Sequence, residues 1–210
     1  YRMYPTLSVF LPNGDFAGIY LNGGNYNIIG KMALAGRNKK ETWDQWYTGR
    51  FDLHPMKGLS VKGDYSWNRY STVQKFHRKE MTQTFPEGRD PYLVETPNYV
   101  RNYNSNNIYQ AINVWAEYKK SFNDVHNLSL MAGYNQEEKT YASTSYTMTD
   151  LYDNEMPISD LAINYKENEE GSDIWRVQGA FFRLNYDYRS KYLLEVNGRY
   201  DGSSKYAKHD

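Results

Sequence analysis

Four acids, Asp150, Asp153, Glu155 and Asp160, crowd one segment of this 210-residue chain. Clustered carboxylate oxygens can bind calcium, but the spacing lacks the central glycine and ligand order of an EF-hand loop. We read a solvated loop there. The histidines His54, His77, His126 and His209 are scattered, two of them at expected turns. No HExxH or Ser/His/Asp grouping accompanies them. Glu137-Glu138 and Glu169-Glu170 are sequence neighbours. On a strand, neighbours point to opposite faces, so Glu137 and Glu138 cannot act together as an acid–base pair. Asn22-Gly23-Gly24-Asn25 reads as a turn, since no lysine-serine/threonine follows to make a phosphate loop. The expectation is a protein that is not an enzyme, with no catalytic residues, no metal site and no cofactor.

Binding chemistry is better supplied. Tyr92, Tyr99 and Tyr103, with Phe85, occupy one long polar segment, and Tyr146, Tyr152 and Tyr165 another, with Trp175 at its exit. Exposed rings offer flat apolar faces on which sugar C–H groups can stack. Loop self-packing or contact with a partner protein would use the same rings. A second set is a polar stripe near the C-terminus: Arg183, Asn185 and Asp187, then Glu195, Asn197 and Arg199. These residues could line a hydrated lumen, or form a mutually satisfied ladder between adjacent strands. A lumen wall can be both.

The elements that carry the stripe are two-faced. Ala180, Phe182, Leu184, Tyr186 and Tyr188 alternate with polar neighbours, as do Tyr192, Leu194, Val196, Gly198 and Tyr200. A period of two with unlike faces is the signature of a strand. Six candidate strands emerge: Thr42–Leu53, Leu59–Thr72, Asn107–Tyr118, His126–Tyr141, Ile174–Tyr188 and Tyr192–Ser203. Short turns join them in pairs at 54–58, 119–125 and 189–191. Pairing Leu53 with Leu59, and Tyr188 with Tyr192, keeps apolar opposite apolar, whereas a slip of one residue would invert a face. The last pairing sets Asn185 opposite Glu195 and Arg183 opposite Asn197. Polar segments at 73–106 and 142–173 form the long connections. Compact soluble domains seldom hold structureless loops beyond about 12–15 residues, while outer-membrane barrels alternate short periplasmic turns with long outer loops. The candidate strands also comfortably meet the ~9–11 residues a tilted membrane strand needs.

Composition is compatible. With 25 basic and 25 acidic residues the chain is neutral, which argues against nucleic acid as a partner. It has no cysteine, hence no disulfide framework or thiolate zinc site. Mean hydropathy is −0.88, and no apolar run is long enough for a transmembrane helix. Barrel strands need only alternate. The 22 tyrosines suit strands, interfacial belts and sugar-contacting surfaces alike. Tyr1 follows no signal-like leader, and Lys208-His209-Asp210 trails a strand and turn without a closing element. We expect a piece of something longer.

The runs Phe181–Tyr188, Lys191–Glu195 and Arg199-Tyr200-Asp201-Gly202-Ser203-Ser204-Lys205 resemble a barrel hairpin of the SusC/RagA-like TonB-dependent outer-membrane transporters. Trp46–Trp67 and His126–Tyr134 are similar to other hairpins of that barrel. The resemblance implies an all-β fold, an antiparallel transmembrane β-barrel segment of about six strands with long extracellular loops. Residues 1–42 are only loosely similar; their turn signals at Pro12-Asn13-Gly14 and Asn22-Gly23-Gly24-Asn25 predict a loop region with a short hairpin, and a helical turn near Ile28–Ala35. Residues 43–210 would be part of a barrel of roughly 22 strands with a plugged lumen, the plug domain being absent from this chain. The resemblance further implies nutrient import across a Gram-negative outer membrane. The substrate would be an oligosaccharide, or a peptide, and the partners a SusD-like lipoprotein lid, the TonB complex and outer-membrane lipid. A non-transporting barrel for adhesion and a soluble carbohydrate-binding module are the competing classes.

Overall fold

Polar–apolar alternation organises the long strands of the chain into a meandering sheet. The computed structural model describes residues 8–17, 20–21, 24–25, 27–84, 90, 92–93 and 95–206. Its long strands are β1 (Asn38–Met56), β2 (Leu59–Arg78), β3 (Tyr99–Phe122), β4 (His126–Leu151), β5 (Ala162–Tyr188) and β6 (Tyr192–Ser203). They form a six-stranded sheet in strict sequence order. Turns of two or three residues between β1 and β2, β3 and β4, and β5 and β6 force antiparallel neighbours. The β5–β6 ladder has the anticipated register: Tyr188 faces Tyr192, Asn185 faces Glu195 and Arg183 faces Asn197.

The strands outrun the sequence expectation. β4 has 26 residues and β5 has 27. The long connections shrink accordingly to 79–98 and 152–161. Hydropathy alternation reports a contrast between two environments. Where that contrast is lost, as in Thr144–Thr149, with Tyr146 and Met148 among polar residues, and in Asn164–Asp173, it fades although the backbone stays extended. The β1–β2 hairpin is tied by side-chain contacts on both faces. Asp52 meets Lys62 (3.1 Å), Thr48 meets Ser66 (3.0 Å) and Tyr47 packs on Trp67. These contacts keep polar residues together on one face of the hairpin and aromatic ones on the other.

The chain divides into two units. The first comprises Tyr1–Glu41, Thr72–Asn104 and Thr144–Glu170. Here Leu11 N–H bonds the Asp15 carbonyl around Gly14, which sits at φ +90°, closing the turn at Pro12-Asn13-Gly14. Residues Asn22 and Gly23 of the second expected turn lie outside the described residues. Helix α1 (Ile28–Leu34) starts at Asn27, whose Oδ1 accepts from Gly30 N–H (2.9 Å), an N-cap that satisfies one orphan donor of the first turn. Two asparagines stitch the long connections together. Asn98 Oδ1 accepts from Leu151 N–H (2.7 Å) while its Nδ2 donates to the Leu151 carbonyl (3.2 Å). Asn154 does the same for the backbone of Glu80, at 2.7 and 3.0 Å.

The second unit comprises Thr42–Ser71, Ser105–Ser143 and Gly171–Asp210. It is a sheet without a covering layer. Across the described residues the buried hydrophobic side chains are Ala17, Met81, Val100, Ala111 and Leu151, of which this unit holds only Ala111. Gly58 closes its first hairpin at φ +85°, and a Cβ there would strike the Lys119 carbonyl oxygen. Gly58→Ala therefore combines a left-handed conformation with a backbone clash. It should destabilise the folded sheet by about 1–2 kcal/mol, read as a lower urea midpoint with unchanged m-value.

Candidate functional site: a two-faced sheet and an aromatic cleft

In the second unit the polar face is a hydrogen-bonded wall. Asn113 Nδ2 donates to Asp64 (2.9 Å), and Asn135 Nδ2 donates to Asn113 Oδ1 (3.0 Å). Arg199 reaches over β5 to Asn135 (3.4 Å) and gives both Asp201 oxygens a bond from Nε (2.8 Å each). Tyr109 donates to Glu137 (3.0 Å). Among these groups lies an apolar island of Trp115, Met131 and Phe181, in a cleft of about 420 Å³. Gly133 makes room for it, since a Cβ would lie 2.8 Å from the Trp115 Cβ and collide with the Phe181 ring.

The structure places the six stripe residues as follows. Arg183 and Glu195 approach at 4.0 Å, and Asn197 donates to Glu195 (3.0 Å). Asp187 accepts from Ser190 N–H (2.7 Å), so it secures the turn. Arg199 joins the wall through Asn135 and Asp201. Asn185 borders an open groove with Ser129 and Glu195.

The opposite face of the same unit is apolar and open. Leu53 is 56% exposed, Phe182 50%, Leu194 54% and Val196 45%. A six-stranded apolar face left bare is larger than the few-hundred-Å² patches that soluble monomers tolerate. Rings bound it at two levels. Beside the short turns stand Phe122, His126, Tyr186, Tyr188 and Tyr192. Eight residues along β6 from Tyr192 stands Tyr200, and eight along β4 from His126 stands Tyr134. The second row meets glutamines: Tyr65 donates to Gln110 (2.7 Å), and Tyr134 to Gln136 (2.9 Å) and Gln178 (3.1 Å). An aliphatic band between aromatic rows, with amides just beyond one of them, matches a barrel exterior whose apolar band is about 25 Å tall. Among the described residues no helix is long and apolar enough to cross a membrane; strands would do the crossing.

The first unit holds an aromatic cleft of about 340 Å³ lined by Gln74, Phe76, Tyr99, Arg101 and Tyr103. Phe76 and Tyr99 stack at 5.5 Å with planes 25° apart, and the Arg78 guanidinium lies 4.5 Å from the Tyr99 ring centre. Arg78 also donates to the Pro97 carbonyl (2.7 Å). Arg101 donates to Glu169 (2.9 Å), and Ser145 hydroxyl lies 3.3 Å from each partner. Both guanidiniums thus have anionic company, Glu95 standing 3.7 Å from Arg78. The cleft offers a ring platform bordered by an ion pair, with donors and acceptors side by side.

Of the aromatic candidates, Tyr99 and Tyr103 come together here, on strand β3 instead of in a loop. Tyr146 is on β4, Tyr152 opens the 152–161 connection at 86% exposure, and Trp175 is on β5 with Lys205 Nζ 6.0 Å from its ring. Tyr92 belongs to a two-residue ladder with Gln83; its side chain and Phe85 lie outside the described residues. Sequence reasoning missed Gln74, Phe76 and Arg101, although Tyr99-Arg101-Tyr103 and Gln74-Phe76-Arg78 each alternate onto one face of a strand. The acids Asp150, Asp153, Glu155 and Asp160 have separate tasks. Thr149 (2.8 Å) and Asn164 (2.9 Å) donate to Asp150 and hold its carboxyl below the ordinary value. Asp153 accepts from Glu155 N–H (2.7 Å), Glu155 pairs with Lys79, and Asp160 lies in a 3₁₀ turn.

No protein-family model matches the chain. It is 26% identical over 219 residues to the TonB-dependent receptor P3 of Formosa agariphila, covering 100% of this chain and 20% of that protein. A second protein of the same organism, TonB-dependent receptor P39, is 28% identical over 94 residues, 44% of this chain and 9% of that protein. Among solved structures, the RagAB peptide transporter superposes with a TM-score of 0.75 at 18% identity, covering 93% of this chain and 22% of that one. The RagAB peptide importer in its "closed-closed" state gives 0.76 at 18% identity, with 94% and 22% coverage. This chain thus spans about a fifth of the length of the relatives it matches over its full extent.

Proposed function

From the premise that this chain has the fold of a SusC/RagA-like TonB-dependent barrel segment, we propose that it forms part of the wall of an outer-membrane importer of bulky nutrients. The supporting observation is the unlike pair of faces in the second unit. One is a bare aliphatic band between aromatic rows, suited to lipid; the other is a hydrogen-bonded polar wall, suited to a hydrated lumen. Import needs no chemistry on the substrate. Capture requires differential affinity between open and closed states, and in this reading a SusD-like lipoprotein closes over the solute while TonB supplies energy through segments outside this chain.

In this proposal the Phe76–Tyr99–Arg101 cleft contacts the solute. A paired Arg101–Glu169 beside stacked rings suits neutral hydroxyl groups, whereas capture of a peptide carboxylate would call for an unpaired guanidinium. We therefore place oligosaccharides ahead of peptides. The test is calorimetric titration of the purified full-length protein with panels of neutral oligosaccharides and of peptides. Tyr99→Ala should weaken oligosaccharide binding on the order of tenfold or more, with unchanged thermal melting. Peptide binding with no oligosaccharide binding would reverse the substrate order. High solubility without detergent would remove the barrel altogether and favour a soluble carbohydrate-binding module.

A further inference from the structure

We propose that the outward aromatic row beside the short turns holds the phosphate of a glycerophospholipid headgroup, an inference that rests on the barrel reading. The row crosses four strands. Phe122 ends β3 at 42% exposure, His126 opens β4, Tyr188 ends β5, and Tyr192 opens β6 at 70% exposure. The His126 ring centre lies 4.9 Å from Tyr188, and Tyr188 lies 6.3 Å from Tyr192. His126 Nδ1 is bonded to Tyr186 Oη at 2.6 Å, which fixes the imidazole within the row.

Two cations flank the row. Lys120 Nζ lies 4.9 Å from the Phe122 ring centre, and the Arg189 guanidinium 5.5 Å from that of Tyr188. Among the described residues neither forms an ion pair, while the neighbouring Lys119 is paired with Glu117 (2.7 Å). Of the nearby acids, Asp187 alternates onto the opposite face and is bonded to Ser190 N–H (2.7 Å); Asp124 lies in the β3–β4 turn. Strands β3 and β5 are separated by one strand, hence on the order of 10 Å, a span that two long cationic side chains can bridge through one phosphate. The aliphatic face begins at once beyond the rings, with Leu130 38% and Leu194 54% exposed. An amphiphile can therefore seat acyl chains on leucine and its phosphate between Lys120 and Arg189. Charge complementarity and continuity with the apolar band select a phospholipid over a free anion.

Native mass spectrometry of the full-length protein in detergent, titrated with phosphatidylglycerol, tests this. Wild type should retain the lipid, and the Lys120→Ala/Arg189→Ala variant should lose occupancy about 10- to 30-fold. Lys119→Ala, at the paired lysine, should change nothing. Equal retention by wild type and the double variant would overturn the proposal, as would equal loss with Lys119→Ala. Displacement by millimolar inorganic phosphate would also overturn it, in favour of a free-anion site. A protein that stays soluble without detergent would instead overturn the barrel reading beneath it.

Discussion

Leu184→Arg should cost about 2–4 kcal/mol of folding free energy in a bilayer, whereas Asn185→Arg should cost little. The two residues are neighbours on β5 and differ chiefly in the face they present. Leu184 is paired with Val196, and Asn185 with Glu195, so one guanidinium would enter the aliphatic band and the other would meet a carboxylate. Desolvation opposes the first substitution, and Coulomb attraction partly offsets the entropy of the second. The measurement is reversible urea unfolding of the full-length protein in phosphatidylcholine vesicles, followed by tryptophan fluorescence. Equal losses at both positions would sink the assignment of faces. In a water-soluble sheet whose apolar face packs on another layer, Leu184→Arg would also be costly, but detergent would not be needed to keep the wild type in solution.

What was legible in the sequence follows from what alternation measures. The polar face, from Thr48 and Ser66 through Asn113 and Asn135 to Arg199, emerges wherever one side meets an apolar environment and the other a polar one. The register of β5 on β6 follows because Arg189-Ser190-Lys191 is too short to permit a slip, with Arg189 at φ 51° and Ser190 at φ 54°. The strand extensions were not legible for the same physical reason. Beyond Ser71 and Ser143 polar and apolar residues share each face, so Thr147 and Glu167 (3.1 Å apart) bond across the sheet without leaving any hydropathy rhythm. The cleft was half legible: Tyr99 and Tyr103 were singled out as rings, but Phe76 and Arg101 are recognisable only once β2 and β3 are known to extend that far. Asn98 and Asn154 carried no signal, since an asparagine that mimics a backbone partner looks in sequence like any turn residue.

Asn98 is the position at which one atom changes the most. It is 4% exposed, its carbonyl accepts from Asp150 N–H (3.0 Å), and its side chain satisfies both backbone groups of Leu151, itself 6% exposed. Asn98→Leu would leave a buried N–H and a buried C=O without partners, a loss on the order of 3 kcal/mol confined to the connections 79–98 and 152–161. Hydrogen exchange at Leu151 and Tyr152 should accelerate accordingly, while amides in the β5–β6 hairpin should not. Because Tyr99 follows directly, the oligosaccharide affinity proposed for its cleft should fall as well. Asn98→Asp separates the two bonds. Its carboxylate still accepts from Leu151 N–H but repels the Leu151 carbonyl, and a protonated carboxyl can donate there instead. Burial and that carbonyl favour the neutral acid, so the folded-state pKa lies above the unfolded value of about 3.9. The restored bond is thus fully present below pH ~3.9 and lost as pH rises through the folded pKa. Exchange at Leu151 in the Asp variant should slow toward wild type on acidification after correction for intrinsic rates, with no such recovery in Asn98→Leu. If both variants respond alike to pH, Asn98 merely fills space and the two connections are held by other contacts.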